Sequence, residues 1–577
     1  MPNVFTALTH ELTLTECEPI AVSFQGDRAG DGPLTLGQLN ILRWLDGFPD
    51  AHGWMRWALE LPEGTELDDV TETFAVLLAR HEGLRSTYAA GPPPAQRVAA
   101  AGELIIHRFD AGAGPVESAA LAAELGTLLD TRPPYSPKTH PLRVALATRG
   151  GKVLAGVMDL SHLTADFLGL AVFGREFAHL VRHPAEREIG QARHQPLDQA
   201  WAERRPPLAR RTASALALWE SVLNRAPHHL YTAASTGSPR DSVAAELCSQ
   251  AAATALAEIE ARVGFGRPAI VLAAICAVLS QRTGHSAGDF LTLSSNRYDS
   301  RSANYLGTLV QSAPMRVDLE SMSFDRCVHQ AWLATVKAGK HGIYDVEKRS
   351  QISARAEHRR GVRFCFEPLF NNLVVGRLDS QSPEAPAETA LTWTPMVESD
   401  VMLRFDLFAA EQTLRLRLWT GHLDRVPRDE LERILLAIEH LLLSAASEDL
   451  SRPRMDEVTG LGPLPRDGDW LPVDSCWIQV GEVQRLLDEV LTPLPAQVFP
   501  EVRGEPLVAF LARGPQVRSA EEAHALCMEG LRRRPTAMTP RRYVLCDHAP
   551  DDVSDLDAWL GRPVVAEGAG RTTGQPG

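Results

Sequence analysis

Ser161-His162-Leu163-Thr164-Ala165-Asp166-Phe167 lies between an apolar run of strand character, Val153 to Asp159, and a helix-like run, Phe167 to Leu180. A histidine and an aspartate four residues apart at a strand-to-helix junction supply one base and one acid with separate tasks. The imidazole changes charge near neutral pH and can handle the proton of an acyl-transfer reaction. The carboxylate can turn inward and pin the loop through an ion pair. Spacing alone is a weak signal, because 19 histidines and 73 acidic residues in 577 give about two such pairs by chance. The plainer reading is a loop histidine beside a helix-capping acid, and only the rest of the chain separates the two.

Outward from this junction, residues 33 to 190 alternate helix and strand signals. Gly37 to Leu45 reads as a helix, Trp54 to Leu61 as a strand, Leu67 to His81 as a helix with an apolar face, and Leu104 to Phe109 and Leu142 to Ala147 as strands. Ile20 to Phe24 is a further strand. The Pro/Arg-rich stretch Arg204 to Arg211 reads as a connector. Beyond it, Thr212 to Asn224, Ala251 to Val263 and Ala269 to Arg282 read as helices, and Ser242 to Cys248, Phe290 to Ser294, Val362 to Phe366 and Leu414 to Thr420 as strands. Arg428 to Ala445 closes this half as an amphipathic helix. Ser451 to Trp470 lacks apolar periodicity and reads as a linker. A small unit of β-α-β-β-α-β character follows, and the final dozen residues, rich in Gly, Thr and Pro, are expected to be disordered.

Length and composition bound the answer. The chain of 577 residues is too long for one core and points to about three or four compact units. A net charge of −15 argues against broad nucleic-acid binding, which needs a basic face. Eight scattered cysteines with no C-x-x-C pair indicate neither a zinc site nor a disulfide framework, and fit a reducing cytoplasm. No basic region followed by an apolar core opens the chain, so no signal peptide is expected. The longest apolar run, Ala269 to Leu279, is too short to span a bilayer and reads as a buried helix, so no membrane role is expected.

Several segments now converge on one family. Pro33-Leu34-Thr35-Leu36-Gly37-Gln38 followed by Trp44 resembles the opening motif of nonribosomal peptide synthetase condensation domains, and Arg80-His81-Glu82-Gly83-Leu84-Arg85-Ser86 resembles their second. Ser161 to Phe167 resembles their H-H-x-x-x-D-G active-site motif. Ser295-Asn296-Arg297, Leu306-Gly307-Thr308-Leu309-Val310-Gln311 and Pro314-Met315-Arg316 resemble later ones, in matching order and spacing.

The resemblance implies an α+β fold of two chloramphenicol-acetyltransferase-like lobes in a V-shaped pseudo-dimer, residues 1–200 and 201–450. Between them it implies a tunnel that admits two phosphopantetheine arms from opposite faces. It assigns the tunnel-facing catalytic histidine to His162 and a structural aspartate to Asp166, paired with Arg297. A buried carboxylate needs such a partner, since losing one member of a buried pair costs roughly 3–5 kcal/mol. Arg80, His81 and Arg85 read more simply as the basic end of a helix.

Three positions depart from the pattern. Ser161 replaces the first motif histidine, Phe167 replaces the motif glycine, and Gln311 stands where asparagine is usual. A side chain at 167 is expected to narrow the tunnel floor or move a backbone N–H that faces a developing oxyanion. His228-His229 has no aspartate four residues on, follows Ala-Pro in a connector, and reads as exposed.

The small unit, residues 471–565 after a 451–470 linker and before a 566–577 tail, resembles the C-terminal subdomain of adenylation domains, an α/β unit. The ATP-binding portion is missing, and no lysine follows Lys348, so adenylation is not expected. The unit is expected to act in docking or packing.

The function implied is that of a stand-alone condensation enzyme. It would join a carrier-protein-bound acyl or aminoacyl thioester to an amine or hydroxyl nucleophile in natural-product biosynthesis. The chain would hold no cofactor or metal of its own, the phosphopantetheine arm arriving on an acyl- or peptidyl-carrier protein, and the nucleophile would be a small molecule or carrier-bound. Two alternatives stand: a catalytically inactive recruitment platform, and an acyltransferase acting on a free small-molecule acceptor. Carrier proteins are acidic, so docking calls for a local basic patch, either Arg204, Arg205, Arg210 and Arg211 or Arg355, Arg359, Arg360 and Arg363.

Overall fold

Continuous apolar runs, Val144 to Ala147 and Val153 to Met158, make the strands Leu142–Arg149 and Lys152–Ser161 the buried centre of a six-stranded sheet. The computed structural model describes residues 14–46, 53–114, 116–320, 322–365, 367–374, 388–396 and 399–571. They divide into two compact units. One is drawn from Met1–Ser214, Ser294–Gln311 and Gly342–Val346, the other from Ala215–Leu293, Ser312–His341 and Glu347–Gly577.

In the first unit, the main sheet runs Thr15–Glu16, Ala101–Asp110, Leu142–Arg149, Lys152–Ser161, Trp54–Ala58, with Ile20–Gln25 also on Ala101–Asp110. All pairings are antiparallel except Ala101–Asp110 with Leu142–Arg149, where Ile106 faces Val144. Two helices, Leu67–Arg80 and Phe167–Arg182, cover one face. Val70, Phe74, Leu77 and Leu78 recur at helical spacing and are fully buried. Phe74 meets Phe177 with ring centroids 5.2 Å apart, and Phe173 packs on Phe177 at 5.9 Å. Burying each such ring stabilises the layer by roughly 1.5–3 kcal/mol. This packing fixes Phe167–Arg182 on the sheet, and with it the junction that precedes the helix. The helix Ser118–Asp130 covers the other face through Leu121, Leu125 and Leu129.

The second unit holds a seven-stranded sheet with Leu416 and Leu418 in a central strand, covered by the helices Gln250–Val263, Arg267–Thr283 and Arg428–Ser447. Among the described residues no single helix is long and apolar enough to cross a membrane. The C-terminal part adds a four-stranded sheet, Ala496–Val502, Glu505–Ala512, Arg542–Cys546 and Val564–Gly568, with the helices Val480–Leu491 and Ala520–Gly530. Val362, from the body of the second unit, is buried in the same core as Val483, Leu487 and Leu545.

Four expectations need correction. Arg204 to Arg211 is no connector: Pro206–Leu223 is one helix, with Pro206 and Pro207 in the first turn, where a missing N–H costs nothing. The 451–470 linker contains the helix Arg452–Thr459, and Met455, Leu461 and Leu464 are buried in the main core of the second unit. Residues 362–365 form no strand, Phe366 lies outside the described residues, and the strand is Leu369–Asn372. In the 566–577 tail, the strand Val564–Gly568 extends into the stretch, and Arg571 reaches the carbonyls of Thr539 and Pro540 at 3.1 Å. Residues 572–577 lie outside the described residues.

Candidate active site

Strand Lys152–Ser161 ends at the junction and pairs Ser161 with Trp54 of the neighbouring strand. The chain then turns through His162 to Ala165 and enters the helix at Asp166. Asp166 is the N-cap: its Oδ1 accepts the Gly169 N–H at 2.8 Å, satisfying one of the orphan donors of the first turn. Oδ1 also accepts Arg297 Nη2 at 2.7 Å, and Oδ2 accepts the Leu309 N–H at 2.9 Å.

Arg297 is spent on the protein's own backbone. Nη1 donates to the carbonyls of Ser302 and Tyr305, at 2.9 and 2.6 Å, and Nη2 to that of Gly307 at 2.8 Å. Its guanidinium lies 5.7 Å from the centre of the buried Tyr305 ring. Before it, Asn296 adopts φ 56°, a left-handed conformation that asparagine tolerates, and donates to the carbonyls of Leu309 and Gly342. The 306–309 loop therefore sits against the junction at backbone distance. A Cβ on Gly37 would lie 2.3 Å from the Thr308 carbonyl oxygen, and one on Gly169 would lie 2.9 Å from that of Gly307. Only glycine permits both approaches.

His162 is held from several directions. Its N–H donates to the Gly53 carbonyl at 2.9 Å, and Thr308 Oγ1 donates to its carbonyl. Ring atom Nδ1 donates to the Ala165 carbonyl at 3.1 Å, which leaves the lone pair on Nε2. Trp44, in the last turn of the helix Leu36–Leu45, presents its ring edge-on at 6.0 Å and 70°. Burial lowers the pKa of His162 below its ordinary value, so the imidazole is neutral at pH 7. The residue as a whole is nonetheless only half-buried. A neutral, oriented imidazole is what a general base requires.

Ser161 is buried, and its Oγ accepts the Leu163 N–H at 3.2 Å and meets Tyr135 Oη at 2.9 Å. Phe167 is half-buried and forms the first residue of a regular helix, a place that any L-residue can occupy, so a side chain here strains nothing. Gln311 serves a different part of the fold from the others. Its Nε2 donates to the Tyr344 carbonyl at 2.9 Å and its Oε1 accepts the Tyr344 N–H at 3.3 Å, so it fastens the 342–346 segment. Tyr135, Gly53 and Thr308 belong to the site as contacts of the junction, and sequence reasoning gave them no role there.

The basic cluster near residue 80 is largely internal. His81 is buried against Glu176, with Nε2 2.7 Å from Oε2, and Arg85 is buried with Nη1 donating to the Arg28 carbonyl. His228 and His229, expected to be exposed, are 1% and 9% exposed. His228 Nε2 donates to the Pro535 carbonyl at 2.9 Å, because the C-terminal part packs over this stretch.

The model of the condensation domain family matches residues 33–414, well over half of the chain. This chain belongs to the condensation domain family. Solved structures share the fold at low identity. SgcC5 from Streptomyces globisporus matches at 19% identity and TM-score 0.55, over 72% of this chain and 99% of that one. The first condensation domain of the calcium-dependent antibiotic synthetase, in complex with a substrate analogue, matches at 16% and 0.55, over 75% and 99%. The X-domain from teicoplanin biosynthesis, in its complex with OxyB, matches at 17% and 0.52, over 78% and 99%. No curated protein sequence matches the chain significantly. These condensation-domain relatives have the chloramphenicol-acetyltransferase-like two-lobe fold. The resemblance of the C-terminal part to an adenylation subdomain gains no support from them.

Proposed function

We propose that this condensation domain joins a carrier-protein-bound acyl or aminoacyl thioester to an amine or hydroxyl nucleophile. The observation that carries the reading is His162: its Nδ1 is tied to the Ala165 carbonyl, its Nε2 lone pair is left for a proton, and Asp166 and Arg297 brace the loop behind it. In the reaction, the nucleophile attacks the thioester carbonyl while Nε2 takes its proton. The tetrahedral intermediate then collapses with departure of the phosphopantetheine thiolate, which regains that proton. Much of the rate comes from holding the two reactants together. Amide and ester formation share this scheme.

For carrier docking, the arginines of the two candidate patches differ in what they have left to offer. Arg360 is buried and donates to the carbonyls of Leu223 and Ala226, and Arg363 is engaged by Glu357 at 2.7 Å. Arg205, Arg210 and Arg355 are exposed and remain candidates for an acidic partner.

The test is direct. The protein is incubated with acyl-loaded carrier proteins and candidate nucleophiles, and the thioester is followed by intact-protein mass spectrometry. Nucleophile-dependent loss of the acyl group supports the proposal. A second reading, a recruitment platform without catalysis, draws on the departures at Ser161 and Phe167. It predicts no thioester loss under any pairing, together with stable binding of a partner enzyme.

A further inference from the structure

One serine oxygen joins the residues on either side of His162. Ser161 Oγ accepts the Leu163 N–H at 3.2 Å, and the same oxygen lies 2.9 Å from Tyr135 Oη. Tyr135 also touches the other support of the histidine. Its ring lies on Gly53, where a Cβ would come 2.1 Å from Tyr135 Cδ1, and the Gly53 carbonyl is the acceptor of the His162 N–H. The ring is itself braced: Trp54 meets it edge-on at 5.1 Å, and Arg143 lies over Trp54 at 4.4 Å. Both Tyr135 and Ser161 are buried, at 7% and 1% exposure. A hydroxyl pair shut away from water is costly to break, because each partner is then left unsatisfied.

We infer that Tyr135 is a positioning residue that acts through Ser161 and Gly53 to fix the backbone around His162 and so to aim its Nε2 lone pair. The serine in place of the first motif histidine then belongs to a matched pair. The phenol takes up the volume beside position 161, and the serine completes its hydrogen bond. An imidazole at 161 would have to enter a space whose wall is a phenol oxygen 2.9 Å from the present side chain. Putting histidine back at 161 is therefore a damaging change in this chain, since cores resist added volume.

The inference rests on the proposed condensation activity for its kinetic arm only. Its other readout needs no substrate: ring-nitrogen NMR of histidine-labelled protein, with His162 assigned by its absence from a His162→Gln spectrum. The wild type is expected to carry the His162 proton on Nδ1. Tyr135→Phe, confirmed as folded by thermal melting, is expected to show both tautomers and a kcat about tenfold lower at unchanged KM. Ser161→His is expected to lose about 100-fold in kcat, and Ser161→His combined with Tyr135→Ala to regain about tenfold of that loss. The inference is overturned if Tyr135→Phe keeps the Nδ1 tautomer and full kcat, or if Ser161→His matches or exceeds the wild type. Should the wild type itself turn over no thioester, the spectra still decide the role of Tyr135, and the failure falls on the proposed activity alone.

Discussion

Arg297 Nη2 lies 2.7 Å from Asp166 Oδ1, and each side chain is 5% exposed. Buried ion pairs of this kind contribute little beyond an apolar replacement, but removing one partner strands the other. Here the stranding is worse than usual. Asp166 also caps the helix Phe167–Arg182 and Arg297 also gathers three carbonyls, so a single deletion disturbs the helix start and the 302–307 backbone together. Arg297→Ala is therefore expected to cost about 3–5 kcal/mol. Urea denaturation monitored by tryptophan fluorescence reads this, and a loss below about 1 kcal/mol would show that the pair is dispensable.

Acid should loosen the attachment of the C-terminal part. His228 donates to the Pro535 carbonyl and His524 to the His358 carbonyl, each with its Nδ1 buried and unpaired. Burial pushes both imidazoles down to about 4, from an ordinary value of 6.5. The folded state thus refuses a proton that the unfolded state accepts. Their contribution to stability is whole above about pH 6.5 and is lost as the pH falls towards 4, at about 1.4 kcal/mol per unit for each residue. Melting temperature followed from pH 7.5 to 4.5 should fall, and His524→Gln should flatten the fall. A flat wild-type profile would contradict the assignment.

The C-terminal part is a structural cover rather than an appendage. Arg360 reaches the Asp474 carbonyl, Arg466 donates to the Thr283 carbonyl at 3.1 Å, and Val362 shares the core of the C-terminal sheet. Ending the chain at residue 464 uncovers Val362 and leaves His228 without its acceptor. The truncated protein is expected to be aggregation-prone and to melt lower than the full chain, read by size-exclusion chromatography and thermal melting. Unchanged behaviour in both would count against this role.

What was legible in the sequence follows from how local each cause is. The junction at Ser161 to Phe167 showed itself because a ten-residue apolar strand and an apolar-faced helix meet there. The partner of Asp166 lies 131 residues away, and only the family pattern pointed to Arg297. Tyr135 escaped notice because it stands in Arg132-Pro133-Pro134-Tyr135-Ser136-Pro137, which has no periodicity and reads as loop. His228 was misread for a related reason: Ala226-Pro227 looks like a surface turn, and the burial comes from Cys476 and Pro535, more than 240 residues on. The helix at Pro206 was hidden by its own two prolines, which sit in the one turn that accepts them.

The central claim is that His162 handles the proton of the condensation step, and replacing it tests that claim most directly. Turnover of a loaded carrier protein by His162→Ala, compared with the wild type at equal fold stability, should fall by roughly 10²–10⁴. The wild-type rate should also hold into mildly acidic solution, since burial keeps this imidazole neutral below its ordinary titration range. A His162→Ala protein that consumes the thioester at the wild-type rate would contradict the account.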